Sequence, residues 1–248
     1  MYNQRVISIL AKILEKFTIE IIPSLPMFMR TPLYLNILKI RKVKDRLRLD
    51  VTKKNPTFED RLDYALDSRA NLNNSGEKLH NFNSNVVLEE IEDGPVKIFK
   101  FIPPNSSKDK YGIYFHGGGY FAGSITSHKN LISQISNDSN LIVYFFEYRL
   151  SPEYNFPSAH EDAKLAVDFI KTLHRDDQSI WIGESAGGGL ATGLVVDKEY
   201  LEKPDNLILL SPWLDLSDNF EDKKFFKNSD VTIAVSYTHL RAHETYRD

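Results

Sequence analysis

The chain has 248 residues, of which 42% are hydrophobic, and it contains no cysteine. That length suits one large α/β domain or a domain with a lid, and the apolar content is sufficient for a buried core. The formal net charge of −3 provides no basic field, so nucleic acid is not an expected partner. The lack of cysteine excludes a disulfide framework, a thiolate nucleophile and a cysteine-ligated metal.

The first 29 residues are apolar enough to raise the question of a signal peptide or a membrane anchor. Charged side chains interrupt them at Lys12, Glu15, Lys16 and Glu20, so neither description fits. Apolar residues recur there at helical spacing: Ile7, Leu10, Ile13, Leu14 and Phe17. We expect an amphipathic helix that packs on the protein, no stable membrane insertion and a cytoplasmic location, with peripheral membrane contact as the alternative.

Residues 1–85 show helical signals that prolines interrupt. Thr57 and Asp60 are suitable cap residues for a helix over "FEDRLDYALDSRA". This region is predicted to be an N-terminal helical cap or extension.

From Val86 onward, short apolar β-type runs alternate with helical patterns, which is typical of a mostly parallel sheet flanked by helices. Gly94 joins the first two strands as a hairpin, so one edge of the sheet should be antiparallel. The predicted strands are 86–91, 96–102, 111–116, 141–148, 179–184 and 206–211. The predicted helices between the last four strands are 127–136, 158–173 and 186–200.

The stretch "GESAG", residues 183–187, places Ser185 between two glycines where a strand passes into a helix. A serine hydroxyl must stand clear of the sheet to attack an acyl carbon, and glycines tolerate the strained turn that exposes it. The competing interpretation is a phosphate-binding turn in "GGGLATG". It is weaker, because Gly-x-Gly-x-x-Gly is absent and no acidic residue ends a strand about 20 residues later.

A second glycine-rich stretch, "HGGGYFAGS" from His116, follows the third predicted strand. Consecutive glycines leave backbone N–H groups unobstructed, and two such donors aimed at one point stabilise an oxyanion. Taken alone, a glycine turn around a buried His116 is an equally good interpretation. Both stretches lie at the carboxyl ends of parallel strands, where open α/β sheets place their sites.

Four separated blocks occur in order: "HGGGY" from His116, "EYRLSPEYNFPSAHEDA" from Glu147, "GESAGG" from Gly183 and "SPWLDLS" from Ser211. With them the chain resembles the hormone-sensitive-lipase-like family of α/β-hydrolase esterases, over about residues 86–217. The resemblance implies an α/β-hydrolase fold with an N-terminal helical cap. It also implies hydrolysis of small-molecule carboxylic esters with short acyl chains, and neither a metal nor a cofactor.

Position by position, the resemblance makes Ser185 the catalytic nucleophile. The oxyanion hole would then consist of the N–H groups of Gly118, Gly119 and Ala186. By the same resemblance, His116 is a scaffold residue and not the base, Arg149 and Glu153 are structural, and Glu184 occupies a variable acidic position.

The end of the sequence lacks what this fold needs. The family orders its triad as Ser, then Asp or Glu, then His, with the acid after the seventh strand and the histidine after the eighth. Asp215 lies in the block that precedes the catalytic acid, so it is not assigned. Neither His239 nor His243 is assigned as the base, because both lie in "VSYTHLRAHET", residues 235–245. This stretch resembles a translated transposon-end sequencing adapter.

We therefore expect an incomplete core at residues 86–234, a non-native tail at 235–248 and the loss of the last two strands, the acid and the histidine. Such a chain would be almost inactive, because loss of a triad member can cost about a millionfold in kcat. Its sixth strand would be an apolar edge prone to aggregation. The alternatives are a catalytically degenerate hydrolase fold that binds or regulates, and an acyl-transferring or amide-cleaving hydrolase. The oligomeric state stays open.

Overall fold

A computed structural model describes residues 57–79 and 81–214, which contain six strands and four helices. The strands are β1 (Val87–Ile91), β2 (Lys97–Ile102), β3 (Lys110–Phe115), β4 (Ile142–Glu147), β5 (Gln178–Glu184) and β6 (Asn206–Leu210). The helices are α1 (Phe58–Leu79), α2 (Ile125–Ser139), α3 (Ser158–Thr172) and α4 (Ala186–Val196). All described residues from Phe58 onward fall within one compact unit.

The six predicted strands are confirmed, with each end displaced by no more than one residue. Three helices differ from their prediction by more than one residue, and one of them, α2, begins two residues earlier and ends three residues later than predicted. Helix α1 continues past "FEDRLDYALDSRA" to Leu79. Helix α4 ends at Val196 rather than at Tyr200, because Asp197 adopts an extended backbone that cannot continue the helix.

The sheet has the strand order β1-β2-β4-β3-β5-β6. Strands β4, β3, β5 and β6 are mutually parallel. The hairpin predicted at Gly94 is confirmed, since β1 and β2 pair antiparallel. Strand β2 also pairs antiparallel with β4, so β2 runs opposite to both of its neighbours at this edge of the sheet.

Helices cover both faces of this sheet, and alternate strand residues divide between two apolar clusters. On β3, Ile113 and Phe115 point to the face that α3 and α4 cover, whereas Tyr114 points to the face that α2 covers. Residues 144 and 146 of β4 lie with the first cluster, and residues 143 and 145 lie with the second. Both faces are buried, which explains why these strands are continuous apolar runs.

Strand β6 is different, because each of its residues is at least partly exposed. Ile208 and Leu210, which share one face, are 45% and 40% exposed. Among the described residues, β6 pairs only with β5. The aggregation predicted for this apolar edge stays a prediction.

Helix α1 packs closely against α2. A Cβ atom at Gly76 would lie 2.0 Å from the carbonyl oxygen of Ser127, so only glycine permits this approach. The Asn130 side-chain amide also donates to the Gly76 carbonyl, at 3.2 Å. Helix α1 therefore packs against the first turns of α2.

Several sequence predictions lie outside the described residues. These are the amphipathic helix near residues 7–17, the tail at 235–248, and the positions of Asp215, His239 and His243. None of the helices in the described ranges is long and apolar enough to cross a membrane. Those same ranges contain no group of three or more His, Asp or Glu side chains that could hold a metal ion.

Candidate active site

Ser185 occupies a sharp turn between β5 and α4. Its φ of 50° and ψ of −118° form a backbone conformation that L-residues rarely adopt, as a nucleophile elbow requires. The Ser185 N–H donates to the Leu210 carbonyl at 3.0 Å, and the Trp213 N–H donates to the Ser185 carbonyl at 2.8 Å. The end of β6 thus holds the strained turn from both sides.

The glycines that follow Ser185 allow close backbone packing. A Cβ atom at Gly187 would lie 2.0 Å from the Phe115 carbonyl oxygen. At Gly189 it would lie 2.4 Å from the carbonyl oxygen of Trp213. The glycine run therefore lets α4 pack closely against β3 and the segment after β6. This packing accounts for the glycines without the phosphate-binding turn that was the competing interpretation.

The glycine turn at 117–119 begins where β3 ends. Gly118 and Gly119 have φ angles of 116° and 63°, and Tyr120 has a φ of 64°. The Gly118 carbonyl accepts from the N–H groups of Phe121, at 3.2 Å, and Ala122, at 2.9 Å. A Cβ atom at Gly118 would lie 2.2 Å from the Ala122 carbonyl oxygen, so only glycine fits at this position of the turn.

This turn lies directly against the nucleophile elbow. A Cβ atom at Gly117 would be 3.1 Å from the Glu184 carbonyl oxygen, and one at Gly187 would be 2.5 Å from the His116 carbonyl oxygen. Within the described ranges, no acceptor takes a hydrogen bond from the N–H of Gly118 or Gly119. The N–H of Ala186, the first residue of α4, has no acceptor within its helix.

His116 is buried and lies parallel to the Tyr148 ring, with 4.0 Å between the ring centroids. Its Nδ1 bonds to the Gly117 carbonyl at 2.8 Å, and the Tyr148 hydroxyl donates to its own carbonyl at 2.9 Å. Burial, followed by the neighbouring His128, lowers the pKa of His116 to about 3. A neutral imidazole locked in this way supports the start of the glycine turn.

Glu184 belongs to a polar network that the sequence analysis missed. Its carboxylate accepts from the Tyr114 hydroxyl at 2.6 Å and lies 3.5 Å from His128 Nε2. The other ring nitrogen of His128 lies 2.8 Å from Ser127 Oγ. His128 first and Tyr114 after it lower the pKa of Glu184. The sequence signal for this network was His128, which follows the glycine turn and lies in the first turn of α2.

Among the described residues, none bonds to the Ser185 hydroxyl, and the four described histidines are engaged elsewhere. His116 bonds to Gly117, and His128 faces Glu184 and Ser127. His160 lies 3.7 Å from Asp197, and His174 bonds to Asp177 at 2.7 Å. No histidine of residues 57–79 and 81–214 therefore acts as the base for Ser185.

Residues of the block that starts at Glu147 make three ion pairs. Arg149 Nε lies 2.9 Å from both carboxylate oxygens of Asp162, and its guanidinium also reaches Glu161 at 3.1 Å. Glu153 pairs with Arg69 of α1 through two bonds of 2.7 Å. Sequence reasoning missed Arg69, because its partner is distant in the chain.

A sheet covered by helices on both faces, with a serine at a sharp strand-to-helix turn beside a glycine turn, is the architecture of an α/β hydrolase. Residues 112–244 match the family model described as the alpha/beta hydrolase fold. The chain belongs to this family.

Similar proteins agree with that assignment. The ethyl acetate hydrolase of Pseudomonas putida is 33% identical over 134 residues, which are 50% of this chain and 42% of the relative. The versiconal hemiacetal acetate esterase of Aspergillus parasiticus is 27% identical over 131 residues, or 51% of this chain and 42% of the relative. This chain thus spans less than half the length of these curated relatives.

A solved hormone-sensitive lipase from a metagenome library superposes with a TM-score of 0.67 at 27% identity. The match covers 85% of this chain and 68% of that structure. The resemblance to the hormone-sensitive-lipase-like esterases is thereby confirmed.

Proposed function

We propose that this chain is a serine hydrolase that cleaves carboxylic esters of short acyl chains through an acyl-enzyme on Ser185. The observation that carries the proposal is the strained turn at Ser185, packed against a glycine turn whose N–H groups have no described acceptor. Two of its relatives are named for acetyl esters, which favours a short acyl group.

In the proposed mechanism, Ser185 Oγ attacks the acyl carbon while a base takes its proton. The N–H groups of Gly118, Gly119 and Ala186 stabilise the oxyanion that develops on the carbonyl oxygen; one such donor contributes about 3 kcal/mol in enzymes where it has been removed. The protonated base then gives its proton to the leaving alcohol, and water resolves the acyl-enzyme.

The base and its orienting acid are not among the described residues. If the native acid and histidine are absent, as the sequence predicts, both half-reactions are slow in this chain. Deacylation suffers as well, because water needs the same base. With an activated ester the acyl-enzyme should then accumulate rather than turn over.

The test is acetylation of the chain by p-nitrophenyl acetate, followed by intact mass spectrometry and peptide mapping. We expect one acetyl group on Ser185 in the unmodified chain and none in Ser185→Ala. Ser139→Ala, at an exposed serine at the end of α2, is the matched control and should label normally. A folded chain that acquires no acetyl group at Ser185 contradicts the proposed function.

Matched substrates separate the finer alternatives. Faster labelling by acetyl than by decanoyl esters supports the short acyl chain. Labelling by p-nitroacetanilide at a comparable rate would favour an amide-cleaving hydrolase.

The proposal also includes a cytoplasmic location. Fractionation of cells that express the tagged chain tests this location.

The absence of a described base for Ser185 favours one second candidate, a degenerate hydrolase fold that binds esters without cleaving them. It predicts saturable binding of ethyl acetate, measured by NMR, with no acetylation of Ser185.

A further inference from the structure

Arg69 of helix α1 connects two loops at the carboxyl end of the sheet. Its Nε donates to the Phe121 carbonyl at 2.7 Å, and its Nη2 donates to the Ser151 carbonyl at 2.9 Å. Both Nη atoms also bind the carboxylate of Glu153, each at 2.7 Å. One partly buried guanidinium therefore makes four hydrogen bonds to groups 52 to 84 residues away in the chain.

These partners are themselves joined. The Ser151 N–H donates to the Tyr120 carbonyl at 2.8 Å, so the 151–153 loop and the glycine turn contact each other directly and through Arg69. Helix α1 makes two more contacts here. The Tyr64 ring lies 5.6 Å from the Phe121 ring, and the Ser124 hydroxyl donates to Asn73 Oδ1 at 2.7 Å.

The position of the Phe121 carbonyl determines the position of the glycine turn. The Phe121 and Ala122 N–H groups both bond to the Gly118 carbonyl, so residues 118–122 form one closed turn. The positive φ angles of Gly118, Gly119 and Tyr120 are conformations that a free chain populates poorly, so the turn needs support from outside. Arg69 provides it by charge-assisted hydrogen bonds, which are the stronger kind.

The Glu153 carboxylate in turn orients Arg69. Its two-pronged pairing matches the planar fork of a guanidinium, which a lysine cannot reproduce. The hydrogen bonds from Arg69 lower the pKa of Glu153, so the carboxylate stays ionised at neutral pH. The guanidinium is thereby held with two of its donors free for the carbonyls of Phe121 and Ser151.

We propose that Arg69 is a positioning residue for the oxyanion hole: through the Phe121 carbonyl it sets where the N–H groups of Gly118 and Gly119 point. This inference rests on the proposed function, since it gives those N–H groups their role. Arg69 touches no reacting atom, and its effect should appear in the rate of acylation rather than in ester binding.

The first test measures acetylation of Ser185 by p-nitrophenyl acetate over a range of ester concentrations. In Arg69→Gln we expect a maximal rate lower by about 10- to 100-fold, with less than about a twofold change in the half-saturating concentration. Glu153→Gln should lose less, because Arg69 keeps its bonds to Phe121 and Ser151. Lys171→Gln, which removes the distant pair with Glu202, is the matched control and should keep the unmodified rate.

Arg69→Lys is a control for a folding defect, because it keeps the positive charge but not the planar guanidinium. Its acetylation rate should lie between those of Arg69→Gln and the unmodified chain. An Arg69→Gln rate equal to that of the unmodified chain overturns the inference. A decrease fully explained by a smaller folded fraction in urea titration overturns it as well.

Hydrogen exchange gives a readout that needs no catalysis. Amides of residues 117–122 should exchange faster in Arg69→Gln than in Lys171→Gln, whereas the amides of β5 should exchange equally in both. If the unmodified chain is never acetylated, the proposed function fails and exchange alone decides. Equal exchange of 117–122 in the two variants would then overturn the role of Arg69.

Discussion

The two ends of the sheet bring together different sets of polar groups. At the carboxyl end, Ser185 lies beside N–H groups that have no acceptor among the described residues, and it has no described base. Toward the amino end, a carboxylate, an imidazole and a hydroxyl form a continuous chain: Asp177 bonds to His174 Nδ1 at 2.7 Å, and His174 Nε2 bonds to the Tyr144 hydroxyl at 2.8 Å. Among the described residues, the carboxyl end has a serine beside backbone N–H groups but no such chain of side chains, and the amino end has the chain without those N–H groups.

The difference shows that three suitable groups in a row do not make an active site. Burial raises the pKa of Tyr144 well above its usual value, so its hydroxyl stays protonated at neutral pH. The Tyr111 ring stacks on His174 with 4.3 Å between the ring centroids, so it covers one face of the imidazole. Apart from Asn140, every described residue with positive φ lies at the carboxyl end. Backbone geometry, more than residue chemistry, separates the two ends.

The largest effect should come from the glycines that let α4 approach β3. Gly187→Ala places a methyl group 2.0 Å from a backbone oxygen, and we expect it to destabilise the chain by at least about 3 kcal/mol or to prevent folding. Gly193→Ala, in the same helix, meets only His160 at 3.5 Å. It should stabilise by about 0.5–1 kcal/mol. Urea unfolding checks both, and equal effects would refute the packing role of Gly187.

The next effect concerns the donors themselves. Gly118→Ala combines a φ of 116° with a contact at 2.2 Å to the Ala122 carbonyl oxygen, so the turn must rearrange. We expect acetylation of Ser185 to slow by about 100-fold. Gly193→Ala serves as the control in the same labelling assay. Normal labelling of Gly118→Ala would show that the turn does not hold the oxyanion.

A smaller effect is expected at the amino end. Tyr144→Phe removes one hydrogen bond to His174 and should lower the free energy of unfolding by about 1 kcal/mol. Acetylation of Ser185 should not change, and peptide mapping should find no acetyl group on Tyr144 in the unmodified chain. Slower labelling of Ser185 in Tyr144→Phe would show that the two ends are coupled.

The smallest effect is a pH dependence at Glu184. Its pKa is depressed in the folded chain by His128 and then Tyr114, so its ionised form stabilises the fold above the unfolded pKa, near 4.3. That stabilisation is lost as the pH falls through the folded value. At pH 6 the unmodified chain should exceed Glu184→Gln in unfolding free energy by less than about 1 kcal/mol. This difference should become smaller as the pH is lowered to about 3.5. A difference that grows on acidification contradicts this assignment.

Local patterns made much of this structure predictable. Each strand is a short apolar run bounded by turn residues, so strand ends were predictable to one residue. Ser185 and the glycine turn were found because their chemistry is encoded within a few residues. Pairing of β2 with β4 and the bonds of Arg69 were not found, since they depend on contacts across tens of residues. The predicted loss of the last two strands, the acid and the histidine stays a prediction.

The glycine content of α4 has a consequence for how the chain folds. Four of its eleven residues are glycine, each about 1 kcal/mol less favourable in a helix than alanine. Such a short segment does not persist as an isolated helix, so it must gain its order by docking on β3 and on Pro212 and Trp213. We therefore expect this helix to be absent from the folding transition state, and the turn that bears Ser185 to form late, on a sheet already assembled as far as β6.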